Sequence, residues 1–412
     1  MEAFNASEFM ARETVPNQWP CDLTDIHPIF RPENFRTRVV RQVLQVPLAL
    51  ATQLLLAPQV QTFWHTIVNT DPTYTPATRI SQRYFTYSDA QNNPDRILTA
   101  AQRERIINAF DNLRAWVTFT LRSDVNEVQT VPAPDRNPAI ARRPEYFADG
   151  VASEVQVGRN MFNQLRDATN SVTSRSTAGD IAILRIRQFE MAVMLAHEVS
   201  HSMQYARSGR PAAESHYGRK SAMAETGFEM EERLFGGHPI LLYDGPGTTT
   251  RSYQYRDQGR NRQSRQDRDG APRSLRAQRA LTVNLPGVLV MFEWPDRNIH
   301  NFYASEAGMV HHAHRHLLPE IDMAWRLPLH WLAPLYTKES WKQIRNSTKR
   351  RELTPEKELG YYFKSDRRGT VRTPKKVDPD HKVRNGCVRV EKPRGACVIA
   401  KRRRRWRLET RD

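Results

Sequence analysis

Two histidines and a glutamate stand in the order His197, Glu198, Val199, Ser200, His201 within residues 181–209, IAILRIRQFEMAVMLAHEVSHSMQYARSG. Residues four apart on an α-helix leave from one face, about 40° apart around the axis and about 6 Å apart along it. The two imidazoles can therefore share one metal ion. Zinc suits such a pair, with coordination positions left open. Glu198 is offset from the pair, so its carboxylate reaches a water beside the metal rather than the metal. A Lewis-acidic ion next to a carboxylate base is the chemistry of a zinc hydrolase.

Two histidines alone hold zinc weakly, and a catalytic site wants a third protein ligand. Residues 214–235, ESHYGRKSAMAETGFEMEERLF, supply Glu225, Glu229, Glu231 and Glu232. Glu225 and Glu229 are four apart, so one can bind the metal while the other holds a ligand imidazole by its second nitrogen. For any one of these glutamates, a merely solvated helix face is the alternative. His216 is a rival third ligand, and His216 or Tyr217 is a candidate hydrogen-bond donor to an oxyanion.

These side chains need helices to carry them. Phe189, Val193, Ala196, Val199 and Met203 recur at three- and four-residue steps, and Gly209-Arg210-Pro211 supplies a stop. Residues 181–184, IAIL, are either a short strand or the helix's first turn. Residues 214–235 read as a second helix, closed by Gly236-Gly237. Further upstream, residues 99–116 form an amphipathic helix capped by Thr99, with Ile106, Ile107, Phe110, Leu113 and Trp116 on one side. Strands are expected at 117–121 and 80–87, and β-leaning sequence at 281–294. Pro47 is expected to kink or break a helix over 39–57. Residues 327–341 read as the last packed segment.

The motif also carries a resemblance. HEVSH followed by Glu225, 24 residues after His201, resembles the gluzincin arrangement, with HExxH on one helix and a glutamate ligand on a later one. The pattern E-x-G-x-x-x-E-x-x-x-F-G-G, met by Glu225, Gly227, Glu231, Phe235, Gly236 and Gly237, is similar to that of a group of fungal zincin-like proteins. The resemblance implies an α+β zincin-like fold: the HExxH helix beside a small mixed sheet, with a second ligand-bearing helix. It implies one zinc ion held by His197, His201 and Glu225, Glu198 as general base, and Glu229 and Glu231 as candidates for holding a ligand imidazole. The activity implied is that of a metallopeptidase acting on a peptide or protein. With His216 as third ligand, the chain would instead resemble SprT-like proteases, which act on proteins crosslinked to DNA. A non-catalytic zincin-like scaffold is a further alternative, against which the intact Glu198 speaks.

Composition separates this site from the rest. Of the net charge of +17, residues 338–412 carry 25 Lys+Arg against 10 Asp+Glu, while the other 337 residues carry 37 against 35. The basicity belongs to a tail that ends in KRRRRWR at 401–407, suited to nucleic acid or an import receptor. The expected organisation is an N-terminal extension (1–70), a catalytic domain (71–345) interrupted by an Arg- and Gln-rich insertion (245–280), and a basic, unpacked tail (346–412). Three cysteines and no secretory or membrane-spanning pattern predict an intracellular protein, nuclear or cytoplasmic, without a membrane partner. The run HHAHRH at 311–316 is a lesser metal candidate.

Overall fold

The computed structural model describes residues 19–36, 38–75, 84–125, 127–133, 147, 150–176, 178–208, 214–218, 223–242, 288–292, 322–347, 353–355, 360–363, 375–377, 387–391 and 397–401. The insertion at 245–280, the run at 311–316 and most of 401–407 lie outside these residues. Helix α1 (Arg38–Leu55) runs through Pro47 without ending there. Proline removes one backbone donor, but Leu44, Leu48, Leu50, Ala51, Leu54 and Leu55 are all buried, and their packing sustains the helix. Helix α2 (Gln61–Asn69) follows, with Phe63, Trp64 and Ile67 buried. Trp64 Nε1 donates to the Leu55 carbonyl at 2.7 Å, fastening the two helices together.

Strands β1 (Thr73–Thr75) and β2 (Tyr84–Thr86) pair antiparallel. Helix α3 (Ala100–Leu113) opens with a reciprocal capping box between Thr99 and Gln102. Ile106, Phe110 and Leu113 face the core as the periodicity requires, whereas Ile107 is exposed rather than on that face. Strands β3 (Val117–Arg122), β4 (Val128–Pro132) and β5 (Ser153–Gly158) form a sheet in the order β3-β5-β4. β3 and β5 run parallel and β4 antiparallel, and among the described residues β4 is an edge. Helix α4 (Arg159–Ser171) leads on to α5 (Ala178–Ser208).

α5 organises the fold. Residues 181–184 belong to it as helix and not as a strand. Ala182, Leu184, Phe189, Met191, Leu195, Val199 and Met203 are buried, and these positions cover more than one side. A helix apolar over so much of its circumference has to be surrounded. α1, α2, α3 and α4 pack on it, together with β4 and β5.

The expected helix over 214–235 is shorter in fact. Residues Ser215–His216 form strand β6, parallel to β2, and the helix α6 spans only Thr226–Phe235. Gly218, at φ 145°, turns the chain out of any continuous helix. Gly236, at φ 75°, ends α6 in the left-handed conformation, and its N–H bonds back to the Glu232 carbonyl. Strands β7 (His238–Leu242), β8 (Val288–Phe292) and β9 (Asp322–Arg326) then build an antiparallel sheet. Helix α7 (Leu329–Leu332), a 3-10 turn (Ala333–Tyr336) and helix α8 (Lys338–Asn346) close the core with Leu332, Leu335, Tyr336 and Trp341.

Two of the expected boundaries do not match the packing. Residues of the presumed extension, from Trp19 to Ile67, lie in the same hydrophobic core as Phe189 and Trp341. The presumed tail contains backbone strands: β10 (Gly360–Phe363) and β11 (Lys375–Val377) extend the sheet to β11-β10-β9-β8-β7, and β12 (Cys387–Glu391) pairs with β13 (Cys397–Lys401). Among the described residues no single helix is long and apolar enough to cross a membrane. The architecture is α+β, with helices around α5 and small sheets at its flanks.

Candidate metal centre

Three side chains converge where α5 meets the start of α6. Glu225 Oε1 lies 3.2 Å from His197 Nε2 and 2.8 Å from His201 Nε2. One potential ligand atom from each residue falls within 4.8 Å of the other two, and all three residues are buried. A tetrahedral ion with bonds of about 2.0–2.1 Å separates its ligands by about 3.3 Å, close to these spacings. The donor set, two imidazole nitrogens and a carboxylate, is one that divalent transition metals favour.

Each outer ring nitrogen has a carboxylate oxygen close beside it. His197 Nδ1 lies 2.6 Å from Glu231 Oε1, and His201 Nδ1 lies 2.6 Å from Glu214 Oε1. A carboxylate at Nδ1 accepts from the ring N–H and keeps the proton of the neutral imidazole there, so that Nε2 is the nitrogen open to a metal. Glu225 is extended at φ −151° and caps α6, its second oxygen accepting from Phe228 N. The helix N-terminus thus stabilises the same carboxylate that faces the imidazoles. Gly227 is required by close approach. A Cβ there would stand 2.3 Å from three atoms of the His197 ring, so the second position of α6 must lack a side chain.

Charge accounts for the proton affinities. Burial works against a protonated His197, but Glu225 and Glu231 outweigh it and lift its pKa to about 10. His201 is likewise raised well above its ordinary value, with Glu214 and Glu225 overcoming burial. Burial opposes an ionised Glu225, yet the two imidazoles hold its carboxyl far below the usual range. Glu198 is pushed up by burial, partly offset by His201 and His197. Its backbone carbonyl accepts from Thr130 Oγ1 at 2.9 Å, which ties edge strand β4 to α5 at this residue.

The candidates named from sequence divide accordingly. His197, His201 and Glu225 come together, Glu198 lies beside them, and Glu231 holds His197. Glu229 does not hold an imidazole: its Oε1 pairs with Arg233 at 3.0 Å and lies 3.4 Å from Asn92 Nδ2. His216 is not one of the three converging residues. It sits in β6 opposite Thr86, and its carbonyl accepts from Tyr87 N. The Tyr217 ring packs on Phe63 and Tyr87, with centroids 5.3 and 5.2 Å away. Glu214 is the residue that sequence reasoning missed. It begins a stretch without periodicity, and only the tertiary fold brings it to His201.

No protein-family model matches the chain, and neither a curated protein nor a solved structure does.

Proposed function

We propose that the chain is a zinc-dependent hydrolase of zincin-like fold, acting on peptide bonds, with His197, His201 and Glu225 as the metal ligands. The observation that supports this most is the meeting of two imidazole Nε2 atoms and one carboxylate oxygen at a buried point, with Glu198 adjacent on the same helix. Zinc held there supplies Lewis acidity, polarising a carbonyl oxygen and easing the ionisation of water. Glu198 acts as general base, taking a proton from the attacking water and passing it to the departing amine. Burial raises its pKa, which moves it toward the range a base needs at neutral pH. Glu231 keeps the His197 ring in place through Nδ1. Strand β4 favours a peptide as substrate: it is a sheet edge joined to Glu198, and an extended chain laid along it would bring a carbonyl beside that carboxylate.

The basic C-terminal stretch is proposed as a separate element, an address or a nucleic-acid contact, because its charge is not shared by the residues around the metal centre. Elemental analysis of the purified protein should find about one zinc per chain. Glu198→Gln should keep that zinc while slowing peptide hydrolysis by about 100-fold or more. A zinc-free protein, or a Gln variant with the full rate, would sink the proposal.

A further inference from the structure

Glu214 is buried just ahead of β6, and each of its carboxylate oxygens has a close polar neighbour. Oε1 lies 2.6 Å from His201 Nδ1, and Oε2 accepts from Thr226 N at 2.6 Å. Thr226 is the first residue of α6 and directly follows Glu225, whose own side chain caps that helix. One carboxylate therefore touches one metal-facing residue and holds the backbone next to another. We infer that Glu214 is a positioning residue of the metal centre, fixing His201 with its bare Nε2 toward the ion and setting the approach of Glu225 to His201. The inference rests on the metal reading above.

The requirement is specific for a carboxylate. Thr226 N–H can only donate, and His201 Nδ1 must also donate if its Nε2 is to be free for a metal. Both neighbours therefore need an acceptor. Glutamine has the same shape but offers one oxygen and one NH₂ group. If its oxygen keeps Thr226, its NH₂ faces Nδ1, which must then accept, and the ring proton moves to Nε2 where it blocks the metal. If the amide turns over, its NH₂ opposes the Thr226 N–H. Glu231 makes the matching contact with His197, but from within α6 and not as a link between two ligand-bearing segments. Were Glu214 present only to satisfy the buried Thr226 N–H, a glutamine oxygen would serve as well and metal binding would not change.

The test is the zinc dissociation constant of Glu214→Gln by competition with a chromophoric chelator, alongside the melting curve of the metal-stripped protein. The expected result is binding weakened by about 10- to 100-fold, a melting curve showing a folded metal-stripped variant, and shifted visible bands when cobalt(II) replaces zinc. Zinc binding within about twofold of the unaltered protein overturns the inference. Should the variant fail to fold, nitrogen-15 histidine spectra of the unaltered zinc-loaded protein decide instead: His201 must carry its proton on Nδ1 and coordinate through Nε2, and coordination through Nδ1 overturns it. If the unaltered protein takes up no zinc, the metal reading itself falls and the inference with it. Zinc binding that is merely insensitive to Glu214→Gln removes only the role of Glu214.

Discussion

Gly227 stands against the His197 ring with no space for a side chain. An added Cβ would meet the His197 ring at 2.3 Å, so Gly227→Ala must displace either the imidazole or the first turn of α6. Overpacking of this kind costs about 1–3 kcal/mol. The variant should lose that much stability in a thermal melt and also bind zinc more weakly in a titration. The proton affinities lead to a pH prediction. Without metal, His197 titrates at about 10 against an ordinary 6.5. Such a raised value contributes stability that is fully present below about 6.5 and is lost as pH rises through about 10. Zinc competes with the same protons, so its binding strengthens over that interval. The gap in melting temperature between zinc-loaded and metal-stripped protein should widen from about pH 6 to about pH 9, and a constant gap would contradict the assignment. At this scale much was legible in the sequence. The His197–His201 spacing needs only one helix, and Glu225 stood out by type and position. Of the two candidates for holding an imidazole, Glu229 and Glu231, the four-residue spacing that favoured Glu229 assumed that Glu225 lay inside the same helix. Because Glu225 is the cap, in extended conformation, four-residue spacing does not apply, and Glu231 reaches His197 instead.

Each of the two elements that carry the proposed ligands is held for reasons visible in its own residues. α5 is apolar over most of its circumference and is surrounded; α6 is short, capped by Glu225 and stopped by Gly236. Glu225 thus has two duties that substitution can separate. Glu225→Ala should remove zinc binding and also cost the metal-stripped protein about 0.5–2 kcal/mol, the usual loss of an N-cap. Glu225→Ser should recover most of that stability and none of the zinc, because its hydroxyl can cap but is too short to reach the imidazoles. Melting curves in chelator, with zinc content measured in parallel, check both. The helix at 100–113 and the part of α5 from 187 to 208 were legible because their apolar positions repeat locally, whereas 181–184 read equally as strand or helix. The strand at Ser215–His216 was not, since it exists only through its pairing with the distant Phe85 and Thr86.

Across the whole molecule, the residues ahead of the motif are part of what holds it. Leu48 is fully buried, in the same core as Phe189 of α5. Leu48→Ala should cost about 2–5 kcal/mol, read as a drop in the denaturation midpoint, whereas a detachable extension would leave that midpoint unchanged. From composition the same residues read as an extension, because their Pro- and Asn-containing surroundings hide how completely α1 is covered. The charge division was legible by counting: the excess of Lys and Arg lies in 338–412, apart from the buried His and Glu cluster. The central claim is that His197, His201 and Glu225 hold a metal ion at the meeting of α5 and α6, as proposed above. Diffraction from zinc-loaded crystals, collected at the zinc absorption edge, tests it most directly. One strong anomalous peak is expected about 2 Å from His197 Nε2, His201 Nε2 and Glu225 Oε1. No peak there, or one seated on His216 instead of Glu225, would contradict it.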